Sequence, residues 1–206
     1  MKKFTIHSGI AAPLLRDNID TDSIIPSREM KTVSKSGLGI GLFSAWRYLD
    51  EKARTLNPDF VLNKPQYQNA SILISSNNFG CGSSREHAVW ALKDFGIRCI
   101  IADSFGSIFA RNCLRNGLLP IELISEKKQI LLDHLTAMPE VQELTIDLIN
   151  CSISAGAKLD LPFNIIDSDR NMLLEGLDQI KLTQKHQQKI EQFRQRDRQI
   201  RPWVCL

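Results

Sequence analysis

Between Gly80 and His87 the chain places two glycines, a thiol, two hydroxyls, a guanidinium, a carboxylate and an imidazole. The stretch reads GCGSSREH. An apolar run, SILISS (71–76), stands before it. After it, Ala88, Ala91, Leu92 and Phe95 recur at helical spacing up to Gly96, so the reactive residues occupy a strand-to-helix turn. At such a turn the first helical N–H groups lack intrahelical acceptors, and the helix dipole favours an anion. Gly80 and Gly82 admit unusual backbone angles and a close ligand. Ser83 and Ser84 add hydroxyls, and Arg85 adds a planar fork that matches a carboxylate or phosphate in two contacts.

The known phosphate motifs fail here. No G-K-[ST] is present, and the dinucleotide fingerprint would need glycine where Arg85 stands. A G-x-S-x-G elbow is absent as well. A carboxylate ligand fits the chemistry best. Serine beside arginine, with backbone donors, could also hold an alkoxide and take a proton from a carbon next to a carboxylate. A plainer reading uses the same residues: Ser83 or Ser84 caps the helix and Glu86 completes a capping box. Helix 84–95 then starts at the serines. His87 reads as a core histidine hydrogen-bonded within the first turn, against a catalytic alternative. In DNIDTD, Asp17, Asp20 and Asp22 form either a solvated turn or a negative set that orients Arg85. The loop lacks the glycine and distant glutamate of an EF-hand.

Metal ligation by this chain alone is not expected. The five cysteines, Cys81, Cys99, Cys113, Cys151 and Cys205, form no C-x-x-C pair, and the four histidines form no H-x-x-x-H pair. The thiols are expected reduced, several of them in the core. Hydrophobic content of 43% with 24% charged residues suits an ordinary globular chain, and a net charge of +3 selects no partner. No run approaches the roughly 18 apolar residues of a membrane span. MKKFTIHSGI has no long apolar stretch behind its lysines, so no signal peptide is expected and the cytoplasm is the expected compartment.

The elements that must hold the turn follow an alternating pattern. FTIHSGIAAPL (4–14) predicts a strand and its exit. SKSGLGIGLFSAW (34–46), with Gly37, Gly39 and Gly41, predicts a close-approach loop rather than a helix. Strands are predicted at 71–76, 98–103 and 118–123. Helices are predicted at 104–117, with Ser104 as N-cap and Gly117 at the end, and at 126–138. ELTIDL (143–148) and AKLDLPF (157–163) alternate as half-buried strands do, and 168–176 is a short helix closed by Gly176. This order implies an α/β unit in three layers with a partly parallel sheet. The tail from Lys181 to Arg201 carries seven Lys/Arg against two Asp/Glu, with Ile190, Phe193 and Ile200 as a thin apolar stripe. It predicts a surface helix packed by that stripe, with a solvated basic face; it lacks the interleaved aromatics of a nucleic-acid binder, and no nucleic acid is expected.

NFGCGSSREHAVWAL resembles the Ser-Ser-Arg-Glu-His segment of the aconitase superfamily, in its small swivel domain. NIDTDSIIP (18–26), GLGIGLFSAWRYL (37–49), ADSFGSIFARNCLRNGLLPI (102–121), LLEGLDQIKLTQKHQQKIEQF (173–193) and RPW (201–203) narrow the resemblance to the small-subunit family of bacterial 3-isopropylmalate dehydratases. The likeness runs from about residue 4 to residue 203, with Val89 departing from an expected Pro or Ala. It implies a three-layer β/β/α swivelling domain over 1–206 with a basic helical tail. It also implies interconversion of 2- and 3-isopropylmalate by dehydration and rehydration, in leucine biosynthesis. Carried over by position, Ser83 is the base, and Ser84 and Arg85 hold a substrate carboxylate. Thr21, Asp22, Gly80, Gly82 and His87 support the site, and Met30 and Val33 lie in the segment associated with the isopropyl group. The [4Fe–4S] cluster belongs to a large-subunit partner. Two other readings remain open: a subunit acting on citraconate, methylmalate or homoaconitate, and an anion- or RNA-binding module without catalysis.

Overall fold

Ile72 and Ile74 face one side of their strand and Leu73 faces the other, and all three are fully buried. A strand buried on both faces must lie between layers. The computed structural model, which describes residues 1–30, 34–137, 143–156 and 159–204, shows those layers. The N-terminal elements are β1 (Ile6–Pro13), α1 (Thr21–Ile24), α2 (Ser44–Arg47) and a small ribbon of β2 (Tyr48–Asp50) and β3 (Thr55–Leu56). Then come β4 (Ala70–Ile74), α3 (His87–Phe95), β5 (Cys99–Ala102), α4 (Ser107–Asn116), β6 (Leu119–Glu122) and α5 (Ser125–Ala137). The chain continues through β7 (Glu143–Asp147), β8 (Ser152–Ala155), β9 (Leu159–Pro162), α6 (Asp167–Glu175), α7 (Gln179–Gln184) and α8 (Gln187–Ile200).

The main sheet runs β6-β5-β4-β1-β7-β8-β9. β1, β4, β5 and β6 pair in parallel, and β1, β7, β8 and β9 pair antiparallel. Helices α3 and α4 make the crossovers that parallel pairing requires. On one face Ala12, Leu73 and Ile100 pack with Ala88, Ala91 and Leu92 of α3 and Phe109 and Cys113 of α4. On the other, Ile72, Ile74, Ile101 and Ile121 share a cluster with Leu144, Ile146, Ile153 and Leu161 of the antiparallel strands. Two halves of one sheet meet face to face only when the sheet curls. The expected three layers result: helices, parallel strands, antiparallel strands.

Several local expectations change. β8 is an additional strand; four residues with two serines give too little alternation to read. Helix α4 begins at Ser107 behind Gly106, not at Ser104. Ser104 instead accepts from the N–H of Asn78 through its hydroxyl and from that of Phe79 through its carbonyl. The predicted glycine loop does make close approaches: a Cβ on Gly39 would stand 2.8 Å from the Phe95 backbone nitrogen. It ends, however, in the helical turn α2. Lys128 is a buried cation on α5; it pairs with Asp103 and donates to Ser75 O at 3.0 Å. Ser75 and Asp103 follow β4 and β5, so Lys128 ties two strand exits at the edge that carries the glycine turn.

Candidate functional site

β1 and β4 are parallel neighbours, so the loops that follow them leave the same edge side by side. Polar groups join these loops. Asn18 N–H donates to Asn77 O (2.8 Å), Asn77 N–H to Asp17 Oδ1 (2.9 Å), and Asn78 Nδ2 to Asn18 Oδ1 (2.8 Å). Further along, Gly80 N–H donates to Ile19 O at 2.7 Å and Thr21 N–H to Cys81 O at 2.9 Å. The parallel pairing thereby continues beyond the strands as a bridge between Asp20 and Cys81, with another between Phe79 and Phe105 on the far side. The glycine turn is clamped between two loops.

Gly80 is required there on two counts. Its φ is +74°, and a Cβ would lie 2.2 Å from Cγ of Phe109. Gly82 has φ +92°, and a Cβ there would make only ordinary contacts, to Asp20 Cβ at 3.5 Å and Thr21 Oγ1 at 3.7 Å, so only its conformation favours glycine.

The predicted capping box does not form. Helix α3 starts at His87; Glu86 occupies the N-cap position, and no side chain caps the helix. Ser83, Ser84 and Arg85 precede the helix, and tertiary contacts claim the backbone of the two serines. Ser83 N–H donates to the hydroxyl of buried Thr21 at 3.1 Å, and Ser84 O accepts from Nδ2 of buried Asn112 at 3.3 Å. The hydroxyl of half-buried Ser83 has no hydrogen-bond partner among the described residues. Among the described residues no histidine or carboxylate relay engages it.

Of the three aspartates, Asp22 is the one that meets Arg85, with Nη1 to Oδ1 at 2.8 Å. Asp20 caps α1 through Ser23 N–H at 2.6 Å, and Asp17 holds Asn77. Both side chains of the Arg85–Asp22 pair are well exposed, at 43% and 59%, and an ion pair of this kind is worth about 0–1 kcal/mol. Asp22 thus pre-orients the guanidinium without locking it, and an anionic ligand can displace the carboxylate at small cost.

His87 departs from expectation. Its Nδ1 is buried with no hydrogen-bond partner among the described residues, and its ring packs on Trp90 at 4.7 Å between centroids. Met30 packs partly against the core cluster that contains α3. Val33, named with it, lies outside the described residues, as does Cys205. Cys99 and Cys113 are fully buried, and desolvation pushes both thiols up, away from the thiolate a metal needs. Cys81 sits in the glycine turn and Cys151 at the β7–β8 turn, and neither forms a disulfide with another described residue. The described residues contain no group of three His, Cys, Asp or Glu able to hold a metal. They do not fit an iron–sulfur cluster. No helix among them is long and apolar enough to cross a membrane.

The profile of the Aconitase C-terminal domain matches residues 1–126. A 3-isopropylmalate dehydratase small subunit from Cupriavidus necator is 54% identical over 204 residues, covering 99% of this chain and 98% of that one. This chain belongs to the 3-isopropylmalate dehydratase small-subunit family. A small subunit from Agrobacterium fabrum is 49% identical, with 99% and 100% covered. The crystal structure of a 3-isopropylmalate dehydratase from Methanocaldococcus jannaschii superposes with a TM-score of 0.61 at 27% identity, with 92% of this chain and 99% of that one covered. In this small subunit Val89 is fully buried in the core, so its departure from the resemblance does not reach the exposed loop.

Asn112 was not singled out from the sequence of this small subunit. Its signal was present: Phe109, Asn112 and Cys113 share one helical face at i, i+3 and i+4, and a polar residue on an otherwise core-facing stripe needs a partner. That partner is Ser84 O.

Proposed function

We propose that this chain is the small subunit of a 3-isopropylmalate dehydratase and supplies the base and the carboxylate clamp to a site completed by a large subunit. One pair of contacts carries the reading. Thr21 holds the backbone of Ser83 while Asp22 holds the side chain of Arg85, so one short helix positions a hydroxyl and a guanidinium together on an open loop.

Dehydration removes a proton from the carbon beside a carboxylate and hydroxide from its neighbour. Rehydration returns them with positions exchanged. Ser83, as alkoxide, takes the proton. Arg85 receives the substrate carboxylate in place of Asp22, with the Ser84 hydroxyl beside it, and the charge that builds on that carboxylate as the C–H bond breaks strengthens the contact. Loss of hydroxide calls for a Lewis acid, a role that the family resemblance gives to a [4Fe–4S] cluster in the large subunit. Thr21, Gly80, Gly82 and His87 shape the loop. Met30 and Val33 lie in the segment that contacts the isopropyl group. The whole chain acts as one swivel-type domain with a basic tail, in the cytoplasm, and binds neither nucleic acid nor membrane.

The direct test supplies 3-isopropylmalate anaerobically, with and without a cluster-loaded large subunit, and follows the ultraviolet absorbance of the unsaturated diacid. Absorbance should rise only with both chains present. No rise with a large subunit of proven competence overturns the substrate assignment, and citraconate, methylmalate and homoaconitate are then tried in turn.

Arg85→Lys keeps the charge but loses the two-pronged fork. KM for the diacid is expected to rise about ten- to hundredfold, the worth of one charge-assisted hydrogen bond, with a smaller effect on kcat. An unchanged KM removes Arg85 from the clamp.

A further inference from the structure

Helix α8 is fourteen residues long and has no buried residue, so the apolar stripe expected to pack it against the domain is left uncovered. A helix of that length is marginal in water without a packed face. A candidate face exists. Ile190, Phe193 and Ile200 fall on one side at steps of three and seven, and Lys189 and Arg196 flank the same stripe. Phe193 and Ile200 are 53% and 63% exposed, and Trp203 just beyond the helix is 72% exposed. In the crook between α7 and α8 lies a cavity of about 460 Å³, walled by Ile180, Gln187, Ile190 and Arg194. From 181 to 201 the net charge is +5, whereas the rest of the chain is net −2.

We propose that α7 and α8 form a docking arm for the large subunit, seated on an acidic surface that offers an apolar pocket to Phe193 and Ile200. The inference rests on the reading of the chain as a small subunit. Charge selects the occupant: a second copy pairing arm to arm would set +5 against +5, and like charges oppose that contact. Position supports it. The arm departs after α6, whose Leu173 O accepts from Phe4 N–H at 2.9 Å, at the entry end of β1. Ser83 and Arg85 lie beyond the exit end of the same strand. A grip at the entry end holds the partner while the glycine-turn loop opens for substrate, and it keeps the effective concentration of that loop high between turnovers.

The test uses the full chain and a cluster-loaded large subunit, with Kd from titration calorimetry. Phe193→Asp/Ile200→Asp should raise Kd at least tenfold. Lys189→Glu/Arg196→Glu should raise Kd and flatten its salt dependence. All four side chains are exposed, so thermal melting should match the wild type, and kcat at saturating large subunit should stay unchanged. Unchanged Kd in both variants overturns the arm and leaves the small-subunit reading intact. Two other results assign the face elsewhere and also overturn it, when Kd is unchanged. One is self-association of the wild-type chain that the apolar variant abolishes; the other is salt-dependent RNA binding that the charge variant abolishes. A wild-type chain that binds no competent large subunit overturns the small-subunit reading, and the arm with it.

Discussion

Ser83→Ala is expected to lower kcat by about a thousandfold, within the roughly 10²–10⁴ that a positioned general base contributes. The reasoning is local. Alanine keeps the backbone N–H that donates to Thr21, and the Asn112 contact is made by Ser84 O, so the loop holds its path. Arg85 keeps its partner Asp22, so KM for the diacid should move by less than about threefold, a shift of well under 1 kcal/mol. The variant loses only the hydroxyl oxygen. Two readouts separate this from general damage. Exchange of the carbon-bound proton with solvent should fall in parallel with turnover, and the Kd for the large subunit should be unchanged. Wild-type kcat in Ser83→Ala overturns its role as base. A matched loss of kcat and of large-subunit binding would point to a disordered loop instead.

Gly80→Ala should be the most destabilising single-methyl change in the turn. Alanine at φ +74° costs about 1–2 kcal/mol on backbone grounds. The added Cβ would meet Phe109 at 2.2 Å, and overpacking of this kind costs about 1–3 kcal/mol. The ring cannot retreat cheaply. Phe109 is 2% exposed, with Phe79 and Phe105 rings at 5.4 and 6.5 Å. The expected total is about 2–5 kcal/mol, or a fall in Tm of about 4–20 °C for a domain of this size. Gly82→Ala is the control: its nearest neighbour would be Asp20 Cβ at 3.5 Å, so only the backbone cost applies. Phe109→Leu should recover part of the loss in Gly80→Ala, a coupling that a double-mutant cycle measures. Equal Tm for both glycine variants would remove the Phe109 contact from the account.

The strand and helix pattern was legible where burial imposes a period. Ile72, Leu73 and Ile74, and the Ala88–Ala91–Leu92–Phe95 stripe, announce their elements because each must fill a core on known faces. Gly96, Gly117 and Gly176 end their helices in the left-handed conformation as expected. The errors arise where a local pattern met a stronger tertiary contact. Ser83 and Glu86 have the spacing of a capping box, but Thr21 takes the Ser83 N–H that such a box needs. Ser104 suits an N-cap, but the β4–α3 loop uses its hydroxyl and carbonyl. His87 suits an internal hydrogen bond, but its Nδ1 has none.

The sequence by itself determined the chemistry on offer: a glycine turn with two hydroxyls and a guanidinium, suited to a carboxylate, in a chain whose scattered cysteines and histidines lack metal spacing. It also determined the family, because GSSREH is a compact local motif. Only the tertiary structure decided what surrounds that motif. Thr21 and Asp22 lie some sixty residues before it, and Asn112 lies on the helix after the next strand. They meet it because β1 and β4 pair in parallel, which sends both following loops off one edge, and because the curled sheet fixes α4 behind them. Such contacts depend on strand order, and strand order is set by long-range burial and pairing, not by the spacing of neighbouring residues.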